Sequence, residues 1–112
     1  MARRRTQADA PPLGREDWEK VARTLKAVAH PVRLRIIDLL ERADGGEMAV
    51  GDIVEALGAK PAMTSHQLGL MRDRGVLAVR REGTRAFYRI ANPALVEVIH
   101  CIRRSCRAGE PA

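Results

Sequence analysis

The sequence predicts a mainly α-helical domain with one small β-hairpin near its C-terminal end. Apolar residues recur every three or four positions through most of the chain, which is the spacing of an amphipathic helix. The pattern changes over 76–90, where two strand-like arms flank Glu82-Gly83, a dipeptide typical of hairpin turns. At 112 residues, the chain is long enough for one domain with a modest core.

Prolines and glycines mark the boundaries of the predicted elements. The first helix carries an apolar stripe at Trp18, Val21 and Leu25. His30 precedes Pro31 at the start of the second helix, and we expect it to be a hydrogen-bonded structural residue. The remaining elements are a break at 44–47, a short strand at 48–50, a helix at 51–57 ended by Gly58, a helix at 61–74 ended by Gly75, the hairpin, and a last helix capped by Asn92 and followed by Gly109.

The folded domain is predicted to span residues 15–109. Residues 1–14 are typical of a disordered basic arm, and 110–112 of a tail. No apolar run is long enough to span a bilayer, and none has the layout of a signal peptide. We therefore expect a cytoplasmic protein without a membrane partner, whose two cysteines are free thiols.

Positive charge is concentrated in about a quarter of the chain. The net charge is +6, and residues 60–89 contain seven basic and two acidic side chains. A basic unit of this kind is typical of proteins that bind a polyanion, although a solvated basic surface has the same composition. A second observation is therefore needed to identify the partner.

The helices at 51–57 and 61–74 supply that observation, because two short helices joined by a tight glycine-containing turn form a helix-turn-helix. In this motif the first turns of the second helix meet base edges in the major groove of duplex DNA, and the basic hairpin after it is placed to hold the backbone. Capping of the helix would explain Thr64-Ser65 equally well if taken alone. The predicted DNA contacts are Lys60, Met63, Thr64, Ser65, His66, Gln67, Arg72, Arg81 and Arg85.

Three segments in this order, "LKAVAHPVRLRIIDLL", "SHQLGLMRDRGVL" and "RREGTRAFYRI", resemble the ArsR/SmtB family of bacterial metal- and stress-responsive repressors. The resemblance covers roughly residues 18–107. It implies a homodimeric winged helix-turn-helix repressor that leaves an imperfect palindromic operator when an inducer binds. The first and last helices would form the dimer interface, through Trp18, Val21, Leu25, Leu95, Ile99 and Ile102.

The sequence departs from the family pattern at the recognition helix. Gln67 precedes Leu68 where the family usually has His, and His66 stands one place earlier. Lys60 replaces the usual Ser at the helix start. These departures bear on which operator is read.

The inducer site also differs from the family's best-known ones. Ala49 and Gly51 stand where a thiol site would need cysteines, and the last helix lacks the Asp and His pattern of a zinc or nickel site. His100, Cys101 and Cys106 remain as candidate sensing residues for arsenite, As(III), or for a redox or sulfur species.

Geometry limits what the two thiols can do together. Cys101 lies about 140° round an ideal helix from Cys106, so a disulfide within one intact helix is strained. The thiols would have to meet across a dimer or after the last turn frays. Cys106 fits a small apolar position in the dimer seam as well as it fits a sensor, and Cys101 an ordinary partly exposed thiol.

The sequence also bears on two other classes of function. An enzyme is not indicated, because the sequence has no glycine-rich phosphate loop, paired-carboxylate signature or Ser-His-Asp spacing. A winged-helix module that binds protein or RNA, with structural cysteines and no inducer, is the alternative. Single-stranded RNA readers usually stack bases on aromatic side chains, and this chain has only three.

Overall fold

Five α-helices and a three-stranded antiparallel sheet make up residues 11–107, the part of the chain that the computed structural model describes. The sheet order is β1-β3-β2, so the predicted hairpin gains the short predicted strand as a third member. The fold class is as predicted. The elements are α1 (Arg15–Val28), α2 (Pro31–Arg42), a 3₁₀ turn (Asp44–Gly46), β1 (Glu47–Ala49), α3 (Val50–Leu57), α4 (Pro61–Asp73), β2 (Leu77–Glu82), β3 (Arg85–Ile90) and α5 (Pro93–Arg107).

The helix boundaries follow from local chemistry. His30 Nδ1 accepts a hydrogen bond from the Val32 N–H at 3.1 Å, which confirms its predicted structural role at the start of α2. Asn92 Oδ1 accepts from the Ala94 N–H at 3.0 Å and so caps α5. Gly58 ends α3 at φ +65°, a left-handed conformation that favours glycine.

The core is built on α2. Ile36, Ile37 and Leu40 have essentially no exposed surface, and they pack with buried residues of every other helix and of the sheet. With one Phe, one Tyr and one Trp in the sequence, this core is almost entirely aliphatic. Of the three aromatic side chains only Tyr88 joins it.

The hairpin is in register from Leu77↔Ile90 to Glu82↔Arg85. The two-residue turn is therefore Gly83-Thr84, one position later than the predicted Glu82-Gly83. Gly83 has φ +61°, the left-handed conformation that the tightest hairpin turns require.

An ionic cluster fixes α5 to α2. His100 Nε2 lies 2.7 Å from Glu41 Oε2, and Arg103 donates to Glu41 Oε1 at 2.7 Å while also pairing with Asp38. The hydrogen bond with His100, and then that with Arg103, hold the pKa of Glu41 below its usual value. The carboxylate is thus kept charged between two helices that pack through apolar residues.

Two predicted interface residues belong instead to the core. Leu95 and Ile99 are 4% and 8% exposed within their own chain, because their i, i+4 stripe faces the apolar surface of α2. Ile99 is therefore corrected from a dimer-interface residue to a core residue, whereas Leu95 packs in the core and also lines an apolar cavity between α1 and α5. Val98 and Ile102, on the neighbouring stripe of α5, are the exposed apolar residues of this helix.

The predicted arm and tail fall largely outside the described residues. Of 1–14, only 11–14 are described, and they contain no helix or strand. The tail at 110–112 and Gly109 lie outside. Within 11–107, no helix is long and apolar enough to cross a membrane.

The ionic cluster leads to a prediction about acid stability. Because the pKa of Glu41 is lower in the folded than in the unfolded chain, its contribution is complete above the ordinary glutamate pKa of about 4.3 and is lost as the pH falls below it. Glu41→Gln is expected to lower the free energy of unfolding near neutral pH and to flatten its decline as the pH falls below about 4.3. Urea unfolding at each pH measures both.

Glu55→Gln is the matched control. Glu55 is exposed on α3 and makes no ion pair within residues 11–107, so its variant should follow the wild-type pH profile. A Glu41→Gln profile that is parallel to wild type would show that the cluster adds no pH-dependent stability.

Candidate nucleic-acid interface

The α3 and α4 helices form the predicted helix-turn-helix, with Gly58, Ala59 and Lys60 between them. The buried face of α4 consists of Thr64, Leu68 and Met71. This stripe faces the core. The residues between its members therefore lie on the outward face of α4.

Thr64 does not take the predicted role of a DNA contact. Its side chain is fully buried, and its hydroxyl has no hydrogen-bond partner among residues 11–107. Thr64 lies one helical turn before Leu68 and so shares the face that packs against the core. Capping is not its role either, because no side chain caps the N-terminus of α4. The prediction for Thr64 is wrong for this physical reason.

The outward face of the first turns carries the other predicted contacts. Lys60, Ser65 and His66 are exposed, and Met63 is half-buried beside them. Because Pro61 has no N–H and no side chain covers the helix start, the next backbone N–H groups of α4 are left for an external acceptor. Lys60 adds a positive charge at the same point.

Gln67 is half-buried and held by a residue that sequence reasoning missed. Arg33, on α2, donates from Nε to Gln67 Oε1 at 2.7 Å and from Nη1 to the Ala27 carbonyl at 3.3 Å. Since a guanidinium only donates, the amide oxygen of Gln67 must face Arg33, which leaves its NH₂ group to donate elsewhere. The two residues are 34 positions apart, so no local pattern could have indicated this contact.

Arg72 is placed apart from the base-reading end of the helix. It lies in the last turn of α4 and pairs with Asp73 at 3.1 Å, and this hydrogen bond raises the pKa of Arg72. The structure therefore does not bring Arg72 together with Ser65 and His66.

The arginines of the hairpin differ in whether they form ion pairs within the chain. Arg80 donates to Glu47 at 2.7 Å, pairs with Glu82 at 3.2 Å and lies 4.5 Å from the centre of the Phe87 ring. These carboxylates raise the pKa of Arg80, the hydrogen bond with Glu47 first. Its charge is largely neutralised within the fold.

Arg81 and Arg85 are the predicted wing contacts, and both are exposed. Neither makes an ion pair with any carboxylate in the described part of the chain. Arg85 stacks over Phe87, with its guanidinium carbon 4.9 Å from the ring centre, which holds the side chain without neutralising it. The wing therefore presents two uncompensated cations near its tip.

The predicted dimer surface has an exposed apolar stripe on α1. Trp18 is 58% exposed and Leu25 50%, with Val21 between them and Ile102 exposed on α5. An apolar stripe of this size left open on a small chain indicates a binding surface.

Within one protomer, residues 11–107 do not bring the predicted sensing residues together into a ligand set. Cys101 and Cys106 are both exposed free thiols, and His100 is engaged by Glu41. Among residues 11–107, no group of three or more His, Cys, Asp or Glu side chains is arranged to hold a metal ion.

A core-packed helix pair with a polar first turn, followed by a basic hairpin, defines a winged helix-turn-helix transcriptional regulator that binds DNA. Comparison with known proteins agrees, since residues 28–80 match the family model described as a helix-turn-helix domain. The chain belongs to the ArsR/SmtB family of transcriptional regulators.

Individual relatives support this membership. The biofilm growth-associated repressor of Xylella fastidiosa is 33% identical over 96 residues, which are 82% of each chain. The homodimeric DNA-binding domain of Mb0332 from Mycobacterium bovis, a possible ArsR-family regulator, is 33% identical with a TM-score of 0.69, over 88% of this chain and 90% of that one. The antimony-specific repressor AntR has a TM-score of 0.77 at 27% identity, over 96% and 98%.

Burial of the Thr64 hydroxyl leads to a second prediction. Thr64→Val replaces an unpaired buried polar group by a methyl group, and we expect the free energy of unfolding to rise by about 1 kcal/mol. The affinity for DNA should not change, because the side chain does not reach the surface. Chemical denaturation and fluorescence anisotropy measure the two quantities.

Ser65→Ala provides the comparison, since Ser65 is the exposed neighbour on the same turn. We expect it to change DNA affinity and to leave stability nearly unaltered. If Thr64→Val lowered the affinity for DNA, Thr64 would be a DNA contact after all.

Proposed function

We propose that this chain is a homodimeric repressor whose two protomers place α4 in successive major grooves of an imperfect palindromic operator. The proposal is carried by the exposed, polar and uncapped N-terminus of α4, together with a wing whose Arg81 and Arg85 make no ion pair among residues 11–107. Half-sites would lie about one helical turn, or a little more, apart.

Roles within this surface divide by chemistry. Ser65, His66 and Gln67 read base edges, and Met63 lines the apolar side of the same turn. Because its oxygen is bound by Arg33, Gln67 acts as a donor and favours acceptor groups such as guanine O6 and N7 or thymine O4. Lys60 and the N–H groups of the helix start hold phosphate.

The homodimer is supported by the open apolar surface of α1 and α5. The 1–100 fragment of Mb0332, which covers 88% of this chain, is a homodimeric DNA-binding domain. A symmetric dimer would present two recognition helices to a symmetric operator, which is the usual geometry of this motif.

The inducer is proposed to act on the thiols of α5. Both cysteines are exposed and so accessible to a thiophilic metalloid such as As(III) or to an oxidant. AntR, which matches nearly the whole chain, is an antimony-specific repressor. A dimer would bring four thiols in total, and a reducing cytoplasm would keep them free until the signal arrives.

Salt dependence of DNA binding tests the wing assignment. The DNA upstream of the protein's own gene is the first duplex to use, in fluorescence anisotropy over a series of salt concentrations. Each dimer carries two wings, so Arg81→Ala or Arg85→Ala is expected to reduce the slope of log affinity against log salt by about 2. Affinity for unrelated duplexes should fall in parallel.

Arg80→Ala is the matched control on the same hairpin. The charge of Arg80 is already paired with Glu47 and Glu82, so its loss should leave the slope close to that of wild type. Equal slopes for all three variants and wild type would remove the wing from the phosphate contacts. Preference for single-stranded RNA over the duplex would favour an RNA-binding module instead.

Thiol chemistry tests the inducer. Arsenite, or separately a disulfide-forming oxidant, is expected to release reduced wild-type protein from the duplex, whereas the Cys101→Ser, Cys106→Ser double variant should stay bound. Single variants show whether one thiol suffices. A double variant that is released as fully as wild type would place the signal elsewhere.

A further inference from the structure

The first helix has its charges separated along its length. The first five residues of α1, 15–19, contain all of its acidic residues, Glu16, Asp17 and Glu19, and one base, Arg15. The remaining residues, 20–28, contain Lys20, Arg23 and Lys26 and no acid. We call these the acidic end and the basic part of α1. The three acids and the three bases of 20–28 are exposed, and so is the apolar stripe that runs past both segments.

Next to the basic part of α1 lies a cavity of about 660 Å³. Its walls carry Lys20, Arg23 and Lys26 from α1 and Arg74 from the end of α4. None of these four cations forms an ion pair within residues 11–107. The one acidic residue in the wall, Asp73, is already paired with Arg72. This basic cavity is therefore complementary to a group of carboxylates.

A smaller cavity of about 240 Å³ adjoins it, since both are lined by Lys20, Thr24 and Asn92. The remaining wall of this apolar cavity is made by Val21, Leu25, Leu95 and Val98, between α1 and α5. Together the two cavities form one groove with an apolar part and a basic part. An occupant that fits it must offer an apolar anchor close to several acidic side chains.

The chain itself offers such a segment. Trp18, the most exposed apolar side chain of α1, stands among Glu16, Asp17 and Glu19. The existing pair of Glu19 with Arg15 is 3.7 Å long and exposed, so it holds Glu19 only weakly. The acidic end of α1 thus has the chemistry that the groove requires, and a second copy of the chain can supply it.

We propose that α1 of one protomer packs antiparallel to α1 of its partner, with Trp18 seated in the partner's apolar cavity and the three acidic side chains over the partner's basic cavity. The proposal rests on the homodimer proposed above and specifies its polarity. An antiparallel arrangement sets unlike charges against each other twice, once on each side of the dyad. A parallel arrangement would set like charges together.

This contact would reach the recognition helix. Arg74 follows directly after α4 and lines the basic cavity, so the partner's carboxylates would lie against the end of the helix that reads DNA. The spacing of the two α4 helices would then depend on an ionic contact between protomers.

Charge reversal tests the proposal. The acid-reversed variant carries Glu16→Lys, Asp17→Lys and Glu19→Lys, and the base-reversed variant carries Lys20→Glu, Arg23→Glu and Lys26→Glu. Each variant alone sets like charges across the dyad, and we expect its self-association, measured by sedimentation, to weaken by about tenfold or more. An equimolar mixture restores unlike charges on both sides and is expected to form heterodimers as tight as the wild-type dimer.

Trp18 reports the same event, because it is the only tryptophan in the sequence. Its emission should shift to shorter wavelength as wild type dimerises, and in the mixture but not in either reversed variant alone. A chain with all six reversals again faces unlike charges and should dimerise as wild type does. The matched control, Asp44→Lys, Asp52→Lys and Glu55→Lys, makes the same change of charge at exposed positions outside the groove and should also dimerise normally.

The outcomes separate this proposal from the homodimer itself. If both reversed variants self-associate as tightly as wild type, or if their mixture stays monomeric, the charge pairing is wrong although the homodimer stands. If wild type is monomeric at high micromolar concentration, the homodimer is wrong.

Discussion

Burial of the apolar ridge of α2 is the interaction on which the rest of the structure depends. Ile36, Ile37 and Leu40 fill a core that contains only one aromatic side chain, and all the other helices and the sheet pack around them. Polar side chains near both ends of α2 also hold neighbouring helices. Arg33 holds the recognition helix through Gln67, and Glu41 holds α5. One helix therefore fixes both the DNA-reading element and the helix that bears the thiols.

The available charge of the interface is smaller than its composition indicates. A count from the sequence gives every arginine equal weight. In the structure, Arg80 of the hairpin pairs with Glu47 and Glu82, and Arg72 of α4 pairs with Asp73. Arg81 and Arg85 keep their charge for a partner. The paired arginines therefore stabilise the fold, whereas the unpaired ones can bind a partner.

Most of the fold could be predicted from the sequence because its boundaries are set locally. Pro31, Gly58 and Asn92 act within one turn of where they stand, and the structure confirms each boundary. What could not be predicted was which face of a short helix is buried. Thr64 shares a turn with exposed Ser65, and only packing against the core separates them. The Arg33–Gln67 bond likewise joins segments that only the tertiary fold brings together.

The ionic cluster on α5 also divides the two thiols mechanically. Cys101 lies between His100 and Arg103, inside the stretch that is clamped to α2, whereas Cys106 lies beyond the last clamped residue. An adduct on Cys101 would therefore lie on a helical segment that ion pairs hold against α2. The same adduct on Cys106 would lie on the final turn, which no ion pair holds among residues 11–107. The two thiols are five positions apart on one helix, which is held firmly at Cys101 and less firmly at Cys106.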